Sequence, residues 1–228
     1  MTTNAPPSVC PTVPGDVGTT GSVPTARTPR TALTDPRTLL DGTAITRCRL
    51  GDALQALDLS TFGDRTGLAE LTGRAESVAT AEGWIDLIWY CQLIRAELSR
   101  RQGDLTAAAS LARPVNTWAV QAGQPLVRAR SHQVLSVIHR VIGDEGGCLT
   151  QAILALQHLP PDAPDWMRAT HLMTLGTALL ITRSVPEGQS YMRQALDLAE
   201  ATGRTDLHLM VLNNLAYGLY LAGEQAEA

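Results

Sequence analysis

The chain is 228 residues long and 24.3 kDa, enough for one or two domains with a sizeable buried core. It is 44% hydrophobic but only 4% aromatic, with Leu and Ala prominent, which excludes an all-β sandwich or barrel built on β-branched and aromatic residues. Its basic residues are all arginine, and a net charge of −4 with a pI near 5.7 excludes a general nucleic-acid-binding surface.

Residues 1–36 are punctuated by proline, threonine and glycine and keep no apolar period, which predicts a disordered Pro/Thr-rich leader. Its opening, MTTNAPPSVCPTVPG, has neither a basic start nor an apolar run and does not read as a signal peptide. Residues 37–65 carry Leu39, Leu40, Ile45, Leu50, Leu54, Leu57 and Leu59, which predict a short helical segment of one or two helices broken at Gly63-Asp64. From about Thr66 the pattern becomes helix, short turn, helix. Leu68, Leu71, Ala75, Val78 and Ala79 follow amphipathic spacing up to Gly83. Further helices are expected over Trp84–Gln102, Leu105–Ala122, Pro125–Ile142 and Leu149–His158. Three more follow, over Asp165–Arg183, Glu187–Thr202 and Asp206–Ala222. Pro114 falls inside one of them and is expected to kink or break it. No apolar run approaches the roughly 20 residues of a membrane span. The expectation is a cytoplasmic protein that touches neither membrane nor nucleic acid.

The four cysteines, Cys10, Cys48, Cys91 and Cys148, form no CxxC pair and no zinc-ligand spacing, and are expected to be reduced thiols, mostly small core residues. His132 and His139 lie two helical turns apart, too far to share one metal easily, so no metal site and no cofactor are expected. GxSxG, HExxH, GxxxxGK[ST] and GxGxxG are all missing from the chain, and the expectation is a non-catalytic protein. Asp144-Glu145 reads as a helix N-terminus rather than a catalytic carboxylate pair. Trp84, Trp89 and Tyr90 read as core, with the alternative that an exposed Trp89 marks an interface.

The turns recur about 40 residues apart, at Gly103, Gly143, Arg183-Ser184 and Gly223, the period of stacked helical hairpins. Small residues stand where paired helices must approach closely. The last copy, LNNLAYGLYLAGEQAEA from Leu212, resembles a tetratricopeptide (TPR) repeat through Leu212, Leu215-Ala216, Gly223 and Ala228. The copy before it matches at Leu172, Leu175-Gly176, Gly188, Met192 and Ala195-Leu196, with Arg183 in place of the turn glycine. An earlier copy matches at Leu135-Ser136, Gly143, Cys148, Ala152 and Ala155-Leu156. The loosest is marked by Ala96, Gly103 and Ala108. The resemblance implies an all-α, TPR-like helical-hairpin solenoid of about four hairpins over residues 66–228. The last hairpin reads as cut short at Ala228, so a capping element beyond it is expected. The segments DLAEATG and VLNNLAYGLYLAGE, with the lysine-free composition, are also similar to the N-terminal TPR region of actinobacterial signalling proteins that carry a GGDEF diguanylate cyclase domain. Gly143-Asp144-Glu145-Gly146-Gly147 resembles the GGDEF signature only superficially, because it falls in a hairpin turn.

In the TPR register the first helix of each hairpin lines a concave groove. The resemblance therefore nominates Arg130, Gln133, Val137, Arg140 and Val141, then Thr170, Met173, Thr177, Leu180 and Ile181, then Met210, Asn213, Tyr217, Tyr220 and Leu221. The binding candidates are Arg130, Gln133, Arg140, Met173, Thr177, Met210, Asn213, Tyr217 and Tyr220, with Arg suited to carboxylates and Asn to backbone amides. The alternative is that these side chains pack against the next repeat. The function implied is a protein-interaction and sensory module, the regulatory N-terminal part of a diguanylate cyclase-type protein. It would bind a protein or peptide in the groove or form a homodimer. The TPR region of a transcriptional regulator and a stand-alone scaffold are the alternatives.

Overall fold

A computed structural model describes residues 35–41, 45–63 and 65–222; the expected leader lies outside them except for its last two residues. Ten helices follow one another: α1 Pro36–Leu40, α2 Arg47–Ser60, α3 Leu68–Ala81, α4 Ile85–Arg101, α5 Leu105–Gln121, α6 Pro125–Val141, α7 Glu145–Gln157, α8 Asp165–Ile181, α9 Val185–Ala201 and α10 Thr205–Ala222. No strand occurs among the described residues, which are all-α.

The helix ends keep a strict count. Gly83, Gly103, Gly123, Gly143, Arg183 and Gly203 stand twenty residues apart, except for one gap, and all have φ between 63° and 88°. Only the expected turn at 163 is skipped, where Pro160-Pro161 and Pro164 replace the tight turn by a longer loop. At each turn the backbone folds back on the helix it leaves. The Gly103 N–H donates to Arg100 O at 3.1 Å, and the Asp104 N–H donates to Ser99 O at 3.0 Å, the paired bonds of a left-handed helix stop. The next helix starts at once, with Asp104 Oδ1 accepting from the Ala107 N–H at 2.9 Å. Asp144 does the same for Gly147 at 2.8 Å. This helix therefore begins at Glu145, four residues before the expected Leu149, because the aspartate cap offsets the two glycines in its first turn.

Neighbouring helices pack in pairs, and beyond them each even-numbered helix touches the next: α2 with α4, α4 with α6, α6 with α8 and α8 with α10. The even helices thus form one row, and α3, α5, α7 and α9 cover it from outside. The α2 helix, read from sequence as part of a separate segment, belongs to this row and is continuous with it. Small residues mark the crossings. Ala96 and Ala108, Ser136 and Cys148, and Gly176 and Gly188 recur at forty-residue steps on paired helices. The last pair is the closest: a Cβ added at either glycine would lie 3.0 Å from the other's carbonyl oxygen. Pro114 does not break α5. It is exposed on the outer row, as is Ser110, whose carbonyl it leaves without its helical partner.

Cys91 and Cys148 are buried free thiols, as expected of small core residues, whereas Cys48 is disulfide-bonded and departs from the expectation of reduced thiols. No helix among the described residues is long and apolar enough to cross a membrane.

Candidate functional site

The inner row encloses a hollow of about 180 Å³ that runs from α4 to α10. Its wall is basic at one end, with Arg100 and Arg101 of α4 and Arg130 and Arg140 of α6. At the other end it is apolar and amide-bearing, with Met173 of α8 and Met210 and Asn214 of α10. Phe62, just after α2, closes the basic end, where the guanidinium carbons of Arg101 and Arg130 lie 4.8 Å and 5.5 Å from its ring centroid.

The charges behind this wall are ordered. Arg130 is 2% exposed and binds Asp58 of α2 with both prongs of its fork: Nη2 donates to Oδ1 at 2.8 Å and Nε to Oδ2 at 3.0 Å. Tyr90 donates its hydroxyl to the same carboxylate at 3.1 Å. From Arg130 the network continues, Nη1 donating to Gln133 Oε1 at 3.0 Å and Gln133 Nε2 to Thr174 Oγ1 at 3.1 Å. One polar chain therefore crosses α2, α4, α6 and α8. Burial raises the Tyr90 phenol well above its ordinary pKa, and the neighbouring Asp58 charge adds to this. Burial works against the Arg130 charge, yet Asp58 and Glu97 outweigh it and hold the guanidinium charged.

Glu97 is likewise buried. Burial favours its neutral form, but Arg100 and Arg101, both within 2.6 Å, win and lower its pKa to about 2. Arg140 differs from all three neighbours. Its guanidinium has no hydrogen bond or ion pair among the described residues, and burial, together with the charge of Arg100, makes its charged form less favourable.

Of the nine candidates read from the sequence, Arg130, Gln133, Arg140, Met173, Thr177 and Met210 line this hollow. Arg130 and Gln133 are bound to their neighbours within the fold, so their polar atoms are largely occupied. Asn213 is exposed and outside the lining; Asn214, one position on, takes its place. Tyr217 is 47% exposed and outside the lining, though close enough to Arg140 to interact electrostatically, and Tyr220 is 60% exposed and outside the lining. Leu180, nominated by the same register, is fully buried against Gly188 and Gly218.

Asp58, Phe62, Glu97, Arg100, Arg101 and Asn214 are site residues that the sequence reading passed over. Glu97, Arg100 and Arg101 were within reach of it: forty residues before Val137, Arg140 and Val141, they occupy the same register one repeat earlier. Elsewhere, His139 is joined to Asp144 at 2.7 Å, while His132 pairs with Gln151 at 2.7 Å and stacks on His158. Among the described residues no three metal-ligating side chains gather in one place. Trp89 is partly buried and stacked on Trp118, ring centroids 5.7 Å apart. No protein-family model, curated protein or solved structure matches the chain.

Proposed function

We propose that this chain is a non-catalytic, TPR-like protein-interaction and sensory module that takes a protein or peptide partner in the hollow of its inner helix row. The observation that carries the reading is the hollow itself. A wall basic at one end and apolar with amides at the other suits an extended peptide or an amphipathic helix. Within that reading the module regulates a diguanylate cyclase-type output domain, by a partner-dependent or homodimer-dependent change in how two such domains meet. This narrower assignment rests on the likeness of DLAEATG and VLNNLAYGLYLAGE to the TPR regions of such proteins.

The test compares two double variants in partner capture by cross-linking. Met173→Glu with Met210→Glu places charge inside the hollow, and Ile153→Glu with Val120→Glu alters exposed residues of the outer helices. The expected result is loss of capture in the first pair and retention in the second. Equal capture by both removes the hollow from the function. The purified chain incubated with GTP should form no cyclic dinucleotide; turnover there would overturn the non-catalytic reading.

A further inference from the structure

The charges in the hollow do not balance. Four guanidiniums reach it, from Arg100, Arg101, Arg130 and Arg140, and among the described residues only Asp58 and Glu97 answer them. Asp58 is taken by Arg130. Glu97 takes Arg100 in a two-pronged pair, Nη2 donating to Oε1 at 2.6 Å and Nε to Oε2 at 2.9 Å, and its Oε1 also accepts from Arg101 Nε at 2.6 Å. Arg140 is left without an acceptor among the described residues, beside a second cation and partly stripped of water.

The fold does not require arginine at this place. Forty residues later the same register holds Leu180, packed in the core, and forty further Tyr220. Arg100 and Arg140 are therefore two successive repeats with a cation where the later repeats carry an apolar side chain. An unpaired guanidinium in a partly buried site is destabilising unless something brings it an anion.

We infer, resting on the reading that the hollow takes a partner, that Arg140 and Arg100 form an anion seat for a carboxylate presented by an acidic peptide segment. Carboxylate is the group this chain already uses to satisfy the other guanidiniums of the same wall, in two-pronged geometry at Asp58. Beyond the seat the lining turns to Met173 and Met210, so that a chain carrying the carboxylate lays apolar atoms against the rest of the hollow. An isolated inorganic anion gains nothing from that half.

The experiment uses the full chain and fluorescein-labelled hexaglutamate, read by anisotropy at low salt, with hexaglutamine and inorganic phosphate as further probes. Arg140→Gln and Arg100→Gln should each weaken hexaglutamate binding at least about tenfold, whereas Arg113→Gln, at an exposed arginine of the outer helix α5, should leave it unchanged. Hexaglutamine should not bind. Arg100→Gln leaves Glu97 its ion pair with Arg101, so the variant keeps its fold. In the ligand-free protein Arg140→Gln should raise the melting temperature, because it removes a charge that the fold leaves unanswered. Unchanged hexaglutamate binding in Arg140→Gln overturns the seat. So does a lowered melting temperature, since Arg140 would then serve the fold. Phosphate binding without hexaglutamate binding overturns the peptide and leaves a free-anion site. Loss of the seat with retained sensitivity of partner capture to Met173→Glu and Met210→Glu sinks this inference alone; loss of both sinks the hollow reading.

Discussion

Arg130 and Arg140 are ten positions apart on α6, share one chemistry, and do opposite things. Arg130 is locked: its fork, Asp58, Tyr90 and Gln133 form one buried network in which each member satisfies another. Removing one side of such a pair leaves the other charge buried alone, at a cost of about 3–5 kcal/mol. Arg130→Gln should therefore lower the urea-unfolding free energy by that order; a change under about 1 kcal/mol would show that Asp58 finds another partner. Arg183 makes the complementary case in backbone terms. It takes φ 68° at a turn where every equivalent residue is glycine, because the twenty-residue count demands a left-handed residue there whatever the side chain. Arg183→Gly should raise stability by about 1 kcal/mol, seen as a higher urea midpoint at unchanged slope. A lower midpoint would mean that the guanidinium contributes more than the strain costs.

Each hairpin has a crossing point, and the size of the two residues there sets how closely the helices meet. Gly176 and Gly188 let α8 and α9 approach until backbone faces backbone. Gly188→Ala would set a methyl 3.0 Å from Gly176 O and 2.7 Å from Leu180 Cγ, and should cost about 1–3 kcal/mol as the helices part. Alanine at Gly73, where an added Cβ would meet nothing within 4 Å beyond its own helical turn, is the matched control and should be neutral or mildly stabilising in thermal unfolding. The same α8 helix carries His171, fully buried, its Nδ1 2.7 Å from Met167 O and its pKa lowered by burial to about 4. The unfolded chain takes up a proton near pH 6.5 and the folded one only near 4. Stability is therefore full above about pH 6.5 and falls as pH drops between the two, by on the order of 3 kcal/mol. His132 and His158, also lowered by burial, act with the same sign. Glu97 continues the fall from about pH 4.5 towards 2 as its ion pairs are lost. Urea titrations at pH 7, 5.5 and 4.5 should show the decline, and His171→Leu should flatten it; an equally steep decline in the variant would place the sensitivity elsewhere.

Across the whole molecule the repeats form a one-dimensional stack in which stability flows through neighbours. The middle is tied most heavily, since the polar chain from Asp58 to Thr174 joins four helices of the inner row. Among the described helices α10 packs chiefly on α8 and α9, and Leu209, Leu212 and Tyr220 on it stay 59%, 41% and 60% exposed. Their forty-residue counterparts Ala169, Leu172 and Leu180 are covered, at 0%, 7% and 0%. Amide exchange should therefore be faster in α10 than in α6, by mass spectrometry at neutral pH; equal protection would show that the stack opens only as a whole. The forty-residue register was legible in the sequence, and so were the inner helices, because small residues and left-handed turns leave a local trace. Six of the nine candidate residues reach the hollow for that reason. The slip from Asn214 to Asn213 is a one-residue phase error, and on a helix one residue turns the side chain by about 100°. Asp58 and Phe62 were beyond the repeat pattern altogether, since α2 precedes the first of the glycine-ended turns.

Composition and turn spacing alone determined that the repeat region is all-helical, that its hairpins repeat every forty residues and that small residues occupy the crossings. These follow from forces acting within a few turns of one helix. Only the tertiary structure decided which arginines are spent inside the fold and which one still faces the hollow uncompensated. The partner that settles Arg130 lies 72 residues away on α2. Electrostatic pairing in a buried site depends on distances in space that a local sequence pattern does not encode.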